Sequence, residues 1–117
     1  MCGIIGLFNN SLNAKNGLEV LKNRGSDDSD SVKVENGELG HCLHAVVGHV
    51  RQPLKEKGVL TANCEIYNWE ELNKKYGLKT DNDAEALLKL LDKFGIKKTL
   101  APPFKRIMIN FFVFDFC

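Results

Sequence analysis

The apolar positions of the chain fall into short runs with two different periods. Gly3 to Phe8 is apolar and β-branched enough for a buried strand, and Asn9-Asn10-Ser11 supplies the polar break of a turn. From Asn13 to Lys22 the leucines at 18 and 21 sit three apart, and Arg24-Gly25 offers a glycine stop, which predicts a short helix. Ser26 to Ser31 is polar and acidic and reads as a loop. Val32 to Glu35 alternates, Asn36-Gly37 offers a type I′ turn, and Leu39 to Val47 runs apolar, the pattern of a hairpin.

Val59 to Ala62 is a further candidate strand, and Trp69 opens a helix that Gly77 closes. The clearest helix runs from Asp83 to Phe94. Ala84, Leu87, Leu88 and Leu91 follow the i, i+3, i+4, i+7 spacing, Asn82 and Glu85 form a capping-box-like pair, and Gly95 ends it. Strands and helices alternate, so the chain predicts a layered domain of both kinds. After Leu100 the character changes. Pro102-Pro103 breaks any helix, and Ile107 to Phe114 is too short for a membrane helix, reading as a core strand or an aggregation-prone segment. Residues 1–100 therefore form one domain, and 101–117 a divergent hydrophobic tail, expected to be a truncated or frame-shifted end.

Composition narrows the partners. Of 117 residues, 44% are apolar, enough for one ordinary domain with a core. Lys and Arg number 16 against 15 Asp and Glu, so no overall field draws nucleic acid or an anionic membrane. No positive charge precedes Lys15 in the short apolar start, which lacks the layout of a secretory signal; a cytoplasmic protein with reduced thiols is expected. The cysteines at 2, 42, 64 and 117 never fall two or three apart, so paired-cysteine zinc and redox spacings are missing. On a strand His41 and His44 face opposite ways, so no metal site is expected at His41, Cys42, His44 and His49. With no nucleotide-binding loop either, the chain is expected to carry no cofactor.

Cys2 is the residue with most chemical interest. Removal of Met1 would place thiol and free α-amine on one residue, and the amine can then take or relay the thiol proton near neutral pH. Alone, a cysteine here is better explained as a small strand hydrophobe. Three other strings accompany it in order: Arg24-Gly25-Ser26-Asp27, Asn63-Cys64-Glu65-Ile66-Tyr67-Asn68, and Asp81-Asn82-Asp83-Ala84-Glu85 before the leucine helix. Together with Met1-Cys2-Gly3-Ile4-Ile5-Gly6 they resemble the glutaminase domain of asparagine synthetases and related class II, N-terminal-nucleophile amidotransferases.

The resemblance covers roughly residues 1–100. It implies an α+β fold of the N-terminal-nucleophile αββα sandwich type, incomplete at its C-terminal end. It also implies hydrolysis of glutamine to glutamate and ammonia, the ammonia passing to a synthetase domain or subunit; a homo-oligomer is also open. Cys2 matches the nucleophile, which forms a γ-glutamyl thioester. Asn63 matches the oxyanion-hole asparagine. Cys64 stands where the family has a glycine whose backbone N–H serves the oxyanion, and a positive φ there would strain it. Glu65 and Asp83 match acidic positions of the glutamine pocket, Asp83 being suited to the ligand's α-ammonium, though an acidic helix start is also favoured by the helix dipole.

Two placements compete for the arginine that grips the glutamine carboxylate. One puts Leu43 at that position; the other recovers Arg51, whose fork-shaped guanidinium suits a carboxylate, at the expense of a large deletion before Asn63. Arg24 is expected to cap the preceding helix and Asp27 to close the loop. The rival to glutaminase is an inactive relic or interaction module of the same family.

Overall fold

The computed structural model describes residues 1–9 and 11–101 and the backbone of the strand Ile107–Phe114. Asn10 of the expected Asn9-Asn10-Ser11 turn, Pro102, Pro103 and Cys117 lie outside the described residues, as do the side chains of the phenylalanine-rich tail. In chain order the elements are β1 (Gly3–Phe8), α1 (Ala14–Leu21), a single 3-10 turn (Lys22–Arg24), β2 (Asp28–Val34) and β3 (Gly37–Leu43). They continue with β4 (Leu54–Lys55), β5 (Val59–Ile66), α2 (Trp69–Tyr76), α3 (Asp83–Thr99) and β6 (Ile107–Phe114). Two antiparallel three-stranded sheets result, ordered β1-β3-β2 and β4-β5-β6. With three α-helices among the described residues the class is α+β, as the family resemblance implies.

Period-2 alternation on β5 explains how the layers meet. Leu60, Ala62 and Ile66 join Leu87, Leu88, Leu90 and Leu91 of α3 in one buried cluster, which α2 completes with Leu72. The opposite face of β5 turns to the first sheet, where the Thr61 hydroxyl donates to the Gly40 carbonyl at 3.2 Å. Helix α1 buries Ala14 and Leu18 and packs on β1 and β3. Both sheets therefore carry helices and face each other through a seam that ends near Cys2.

Helix termini follow the local chemistry. Asn13 caps α1 through its side chain on Lys15 N–H at 2.7 Å, and Asn82 caps α3 on Glu85 N–H at 2.8 Å. Glu85 reaches back to Asp81 N–H at 2.9 Å, one residue short of a full capping box. Gly77 ends α2 in the left-handed region, φ 61°. Gly95 breaks α3 as its sequence position predicts (φ 75°, ψ 169°), but a second helical piece follows to Thr99.

Tertiary pairing shifted several boundaries. The acidic stretch expected as a loop is strand from Asp28, because Asp28 to Val34 pair residue by residue with Leu43 to Gly37. The hairpin loop is Glu35-Asn36 rather than Asn36-Gly37, and Asn36 takes the positive φ of 58°. Gly37 instead pairs with Phe8, where a Cβ would strike the Leu7 carbonyl and the Phe8 ring. Strand β3 stops at Leu43, short of Val47, and β5 runs four residues past Ala62 because β6 pairs along its whole length. Gly25 is extended, φ −164°, so it is no left-handed stop; a Cβ there would meet the backbone of Cys42 and Leu43.

Candidate functional site

Strand β1 begins at Gly3, so Cys2 sits just outside its first rung, beside the last residues of β3. The β1–β3 register pairs Gly3 with Cys42, and the chain after Leu43 turns across Cys2. As a result His44 N–H donates to Cys2 Sγ at 3.3 Å, and the thiol faces the His44 carbonyl at 3.7 Å. From the other sheet, the Asn63 side-chain oxygen accepts the Cys2 backbone N–H at 3.2 Å. Cys2 and Asn63 stand 61 positions apart in the chain and meet only because β5 faces the β1–β3 pair.

These residues open on a cavity of about 400 Å³, within the size range of small-molecule sites. Cys2, Asn63, Cys64, Glu65 and Asp83 all line it, together with Leu43, Gln52 and the loop from His44 to Gly48. Strand alternation puts Asn63 and Glu65 on the same face of β5. Asp83 arrives from the first turn of α3, held by Ile66 N–H at 3.2 Å and Ala84 N–H at 2.9 Å. Burial pushes its carboxyl above the ordinary carboxylate range; those two N–H groups work against the shift, and the Glu65 charge adds to it.

Cys64 sits in ordinary strand backbone, absent from the positive-φ residues, so the strain anticipated for a side chain at this position does not arise. Its thiol is held protonated. Burial raises it well above the ordinary range, and the Asp83 carboxylate adds to that. Cys42 is buried behind Cys2 and raised for the same first reason.

Arg51 does not join this group. Its Nε donates to Asp28 at 2.8 Å, and Asp30 lies 3.9 Å from the guanidinium, so it is engaged on β2 and does not line the cavity. The bond to Arg51 in turn holds the Asp28 carboxyl below its usual range. Of the two competing positions it is Leu43 that lines the cavity.

Sequence reasoning missed the parts played by Arg24, Gln52 and His41. Arg24 caps no helix; its Nε donates to the Cys2 carbonyl at 3.4 Å, and the neighbouring Gly25 lets the chain pass under Leu43. Asp27 does close the loop, accepting Ala45 N–H at 2.7 Å while its own N–H donates to Leu43 at 3.0 Å. Gln52 clamps Ala62 from both sides, donating to its carbonyl at 3.1 Å and accepting its N–H at 2.8 Å. His41 joins this clamp through Nε2, 3.2 Å from the same carbonyl, and burial lowers its pKa to about 4, so the ring is neutral. The residue after Ala62 is Asn63, so this buried clamp fixes the strand just where it meets Cys2. A histidine inside the apolar run Leu39 to Val47 was the available signal for His41; nothing local marked Gln52.

Among the described residues no group of three or more His, Cys, Asp or Glu side chains is arranged to hold a metal. No helix among them is long and apolar enough to cross a membrane.

Compared with known proteins, the chain matches the family described as a glutamine amidotransferase domain over residues 1–115. It is also 32% identical, over 111 residues, to the glutamine-hydrolyzing asparagine synthetase B of Escherichia coli (strain K12). That alignment covers 81% of this chain and 20% of the relative, so the chain spans a fifth of that protein's length.

Proposed function

The chain belongs to the glutamine amidotransferase domain family, and on that premise we propose that it hydrolyses the side-chain amide of glutamine with Cys2 as nucleophile. The observation that carries the proposal is the meeting of Cys2 and Asn63 at 3.2 Å in the cavity that also holds Asp83. The paired sheets with helices outside fit the N-terminal-nucleophile sandwich implied by the sequence motifs.

The proposed chemistry starts with removal of Met1, which turns the Cys2 nitrogen into a free α-amine oriented by the Asn63 oxygen. The amine takes the thiol proton, and Sγ attacks the amide carbon to form a C–S bond. With its oxygen committed to Cys2, Asn63 keeps its Nδ2 donor for the developing oxyanion, and the Cys64 backbone N–H serves as the second donor. The C–N bond then breaks, ammonia leaves with the proton, and water splits the γ-glutamyl thioester to glutamate and free thiol. Asp83 and Glu65 hold the substrate's α-ammonium, an anion-to-cation contact strengthened by partial burial. The relative's name supports a synthetase domain or subunit as the consumer of the ammonia.

The experiment is ammonia release from glutamine together with labelling by a glutamine-mimicking electrophile. The proposal requires labelling at Cys2 that glutamine prevents. Turnover that survives Cys2→Ala would overturn Cys2 as the nucleophile; no ammonia release and no glutamine-protected labelling would leave the chain as a non-catalytic member of its family.

A further inference from the structure

On the amide-hydrolysis reading, a glutamine with its side chain at Cys2 and its ammonium at Asp83 and Glu65 still has a carboxylate to place. The cavity must supply a donor for it. Arg51 is held by Asp28 and Asp30, and His49 lies 3.4 Å from the same Asp28. No Lys or Arg lines the cavity among the described residues.

The α-amine does line it, on Met1 before processing and on Cys2 after. That nitrogen already has work to do. Its N–H is held by the Asn63 oxygen at 3.2 Å, and in the proposed chemistry it carries the thiol proton, so its charge comes and goes with each turnover. A fixed grip on the carboxylate needs a second group.

His44 is the other residue on the lining whose side chain can carry positive charge. It follows Leu43, which stands where the family pattern places the carboxylate-gripping arginine and whose side chain has no donor. The His44 backbone is fixed at the nucleophile by its N–H on Cys2 Sγ at 3.3 Å, and its side chain is half-exposed. On one side of the ring, Nδ1 lies 3.9 Å from Asp27 Oδ2, an oxygen that also accepts Ala45 N–H at 2.7 Å. Asp27 thus ties the ring to its own loop. On the other side, Nε2 has no partner among the described residues. An imidazolium has a donor at each nitrogen, so a carboxylate at Nε2 and Asp27 beside Nδ1 would flank one cation with two anions.

We propose that His44 binds the α-carboxylate of glutamine, in place of the arginine of the family pattern, with Asp27 holding the ring. This rests on the amide-hydrolysis reading above and concerns the far end of the same substrate. No covalent step changes. The carboxylate is remote from the reacting carbon and is gripped equally before and during reaction, so the contact acts on KM rather than on kcat. It also makes the site selective for the free amino acid over its α-amide.

The test is ammonia release by the full chain from glutamine and from glutaminamide, for the wild type, His44→Ala and His44→Arg. The wild type should favour glutamine. His44→Ala should raise KM for glutamine about 10- to 100-fold, the loss of one charge-assisted hydrogen bond, with kcat little changed. Glutaminamide, which has no carboxylate, should be turned over as before. His44→Arg should restore the preference, since a guanidinium suits a carboxylate.

A purely structural part for His44 would weaken both substrates together, because both react at the Sγ that its backbone contacts. An equal loss on the two, an unmoved KM for glutamine in His44→Ala, or a wild type that prefers glutaminamide overturns the assignment and leaves the hydrolysis standing. Absence of ammonia from both substrates in the wild type, with no glutamine-protected labelling of Cys2, sinks the hydrolysis and this inference with it.

Discussion

The Asn63 side chain accepts the Cys2 backbone N–H at 3.2 Å, so a residue of the second sheet orients the nitrogen of the first. On the proposed mechanism this contact divides the amide of Asn63 into two jobs, with the oxygen positioning Cys2 and the Nδ2 donor left for the reaction. Asn63→Asp keeps an acceptor and removes the donor. Turnover should fall about 10²–10³-fold with a much smaller change in KM, the behaviour of a group that acts on developing charge. A rise in KM alone would mean that Asn63 binds the ground state instead.

The three described cysteines should react very differently. Cys2 lines the open cavity, whereas burial raises the Cys64 and Cys42 thiols and keeps them protonated. Iodoacetamide near neutral pH should therefore modify Cys2 before either of the other two, as read by peptide mass mapping. Faster labelling of Cys64 would show that its thiol is not held by burial and Asp83. Because the proposed mechanism uses only the backbone N–H of Cys64, Cys64→Ala should retain turnover.

His41 sets a pH window for stability. Its folded pKa of about 4 lies below the ordinary 6.5, so the unfolded chain binds this proton more readily. Its contribution is complete above 6.5 and lost as pH falls toward 4, at up to about 1.4 kcal/mol per pH unit. Asp83, with a raised folded pKa, acts in the opposite sense at the acid end. Urea unfolding between these pH values should show the decline in the wild type. His41→Gln, which can still donate to the Ala62 carbonyl, should flatten it; an equal slope in the variant would assign the decline to other groups.

Two glycines separate packing from backbone strain. A Cβ at Gly25 meets the backbone of Cys42 and Leu43, so Gly25→Ala should cost about 1–3 kcal/mol. It should also lower turnover, because the displaced strand end carries the His44 N–H on Cys2 Sγ. Gly77 has open space around it and a positive φ of 61°. There Ala should cost about 1 kcal/mol and leave turnover unchanged. Thermal melts and ammonia assays on both variants check this, and equal effects on turnover would remove Gly25 from the support of the site.

How far local chemistry reached is visible in particular elements. Helix α3 was legible because Asn82, its leucine spacing and Gly95 all act within a few residues, and α2 because Gly77 is a local stop. Cys2, Asn63, Cys64, Glu65 and Asp83 stood out through the strings that carry them, and the fold brings all five to one cavity.

What the sequence could not decide depends on partners distant in the chain. Whether Asp28 starts a strand is settled by its pairing with Leu43, and the extent of β5 by β6. The destination of Arg51 is settled in the same way, by Asp28 on β2 rather than by its own suitability for a carboxylate. Local pattern alone thus specified the main helices and the candidate chemistry, because capping, periodicity and residue type act over a turn or two. Tertiary structure alone decided the strand ends, the pairing of Cys2 with Asn63 and the engagement of Arg51 by Asp28, because a hydrogen bond or ion pair forms with whichever group the packed sheets bring within about 3 Å.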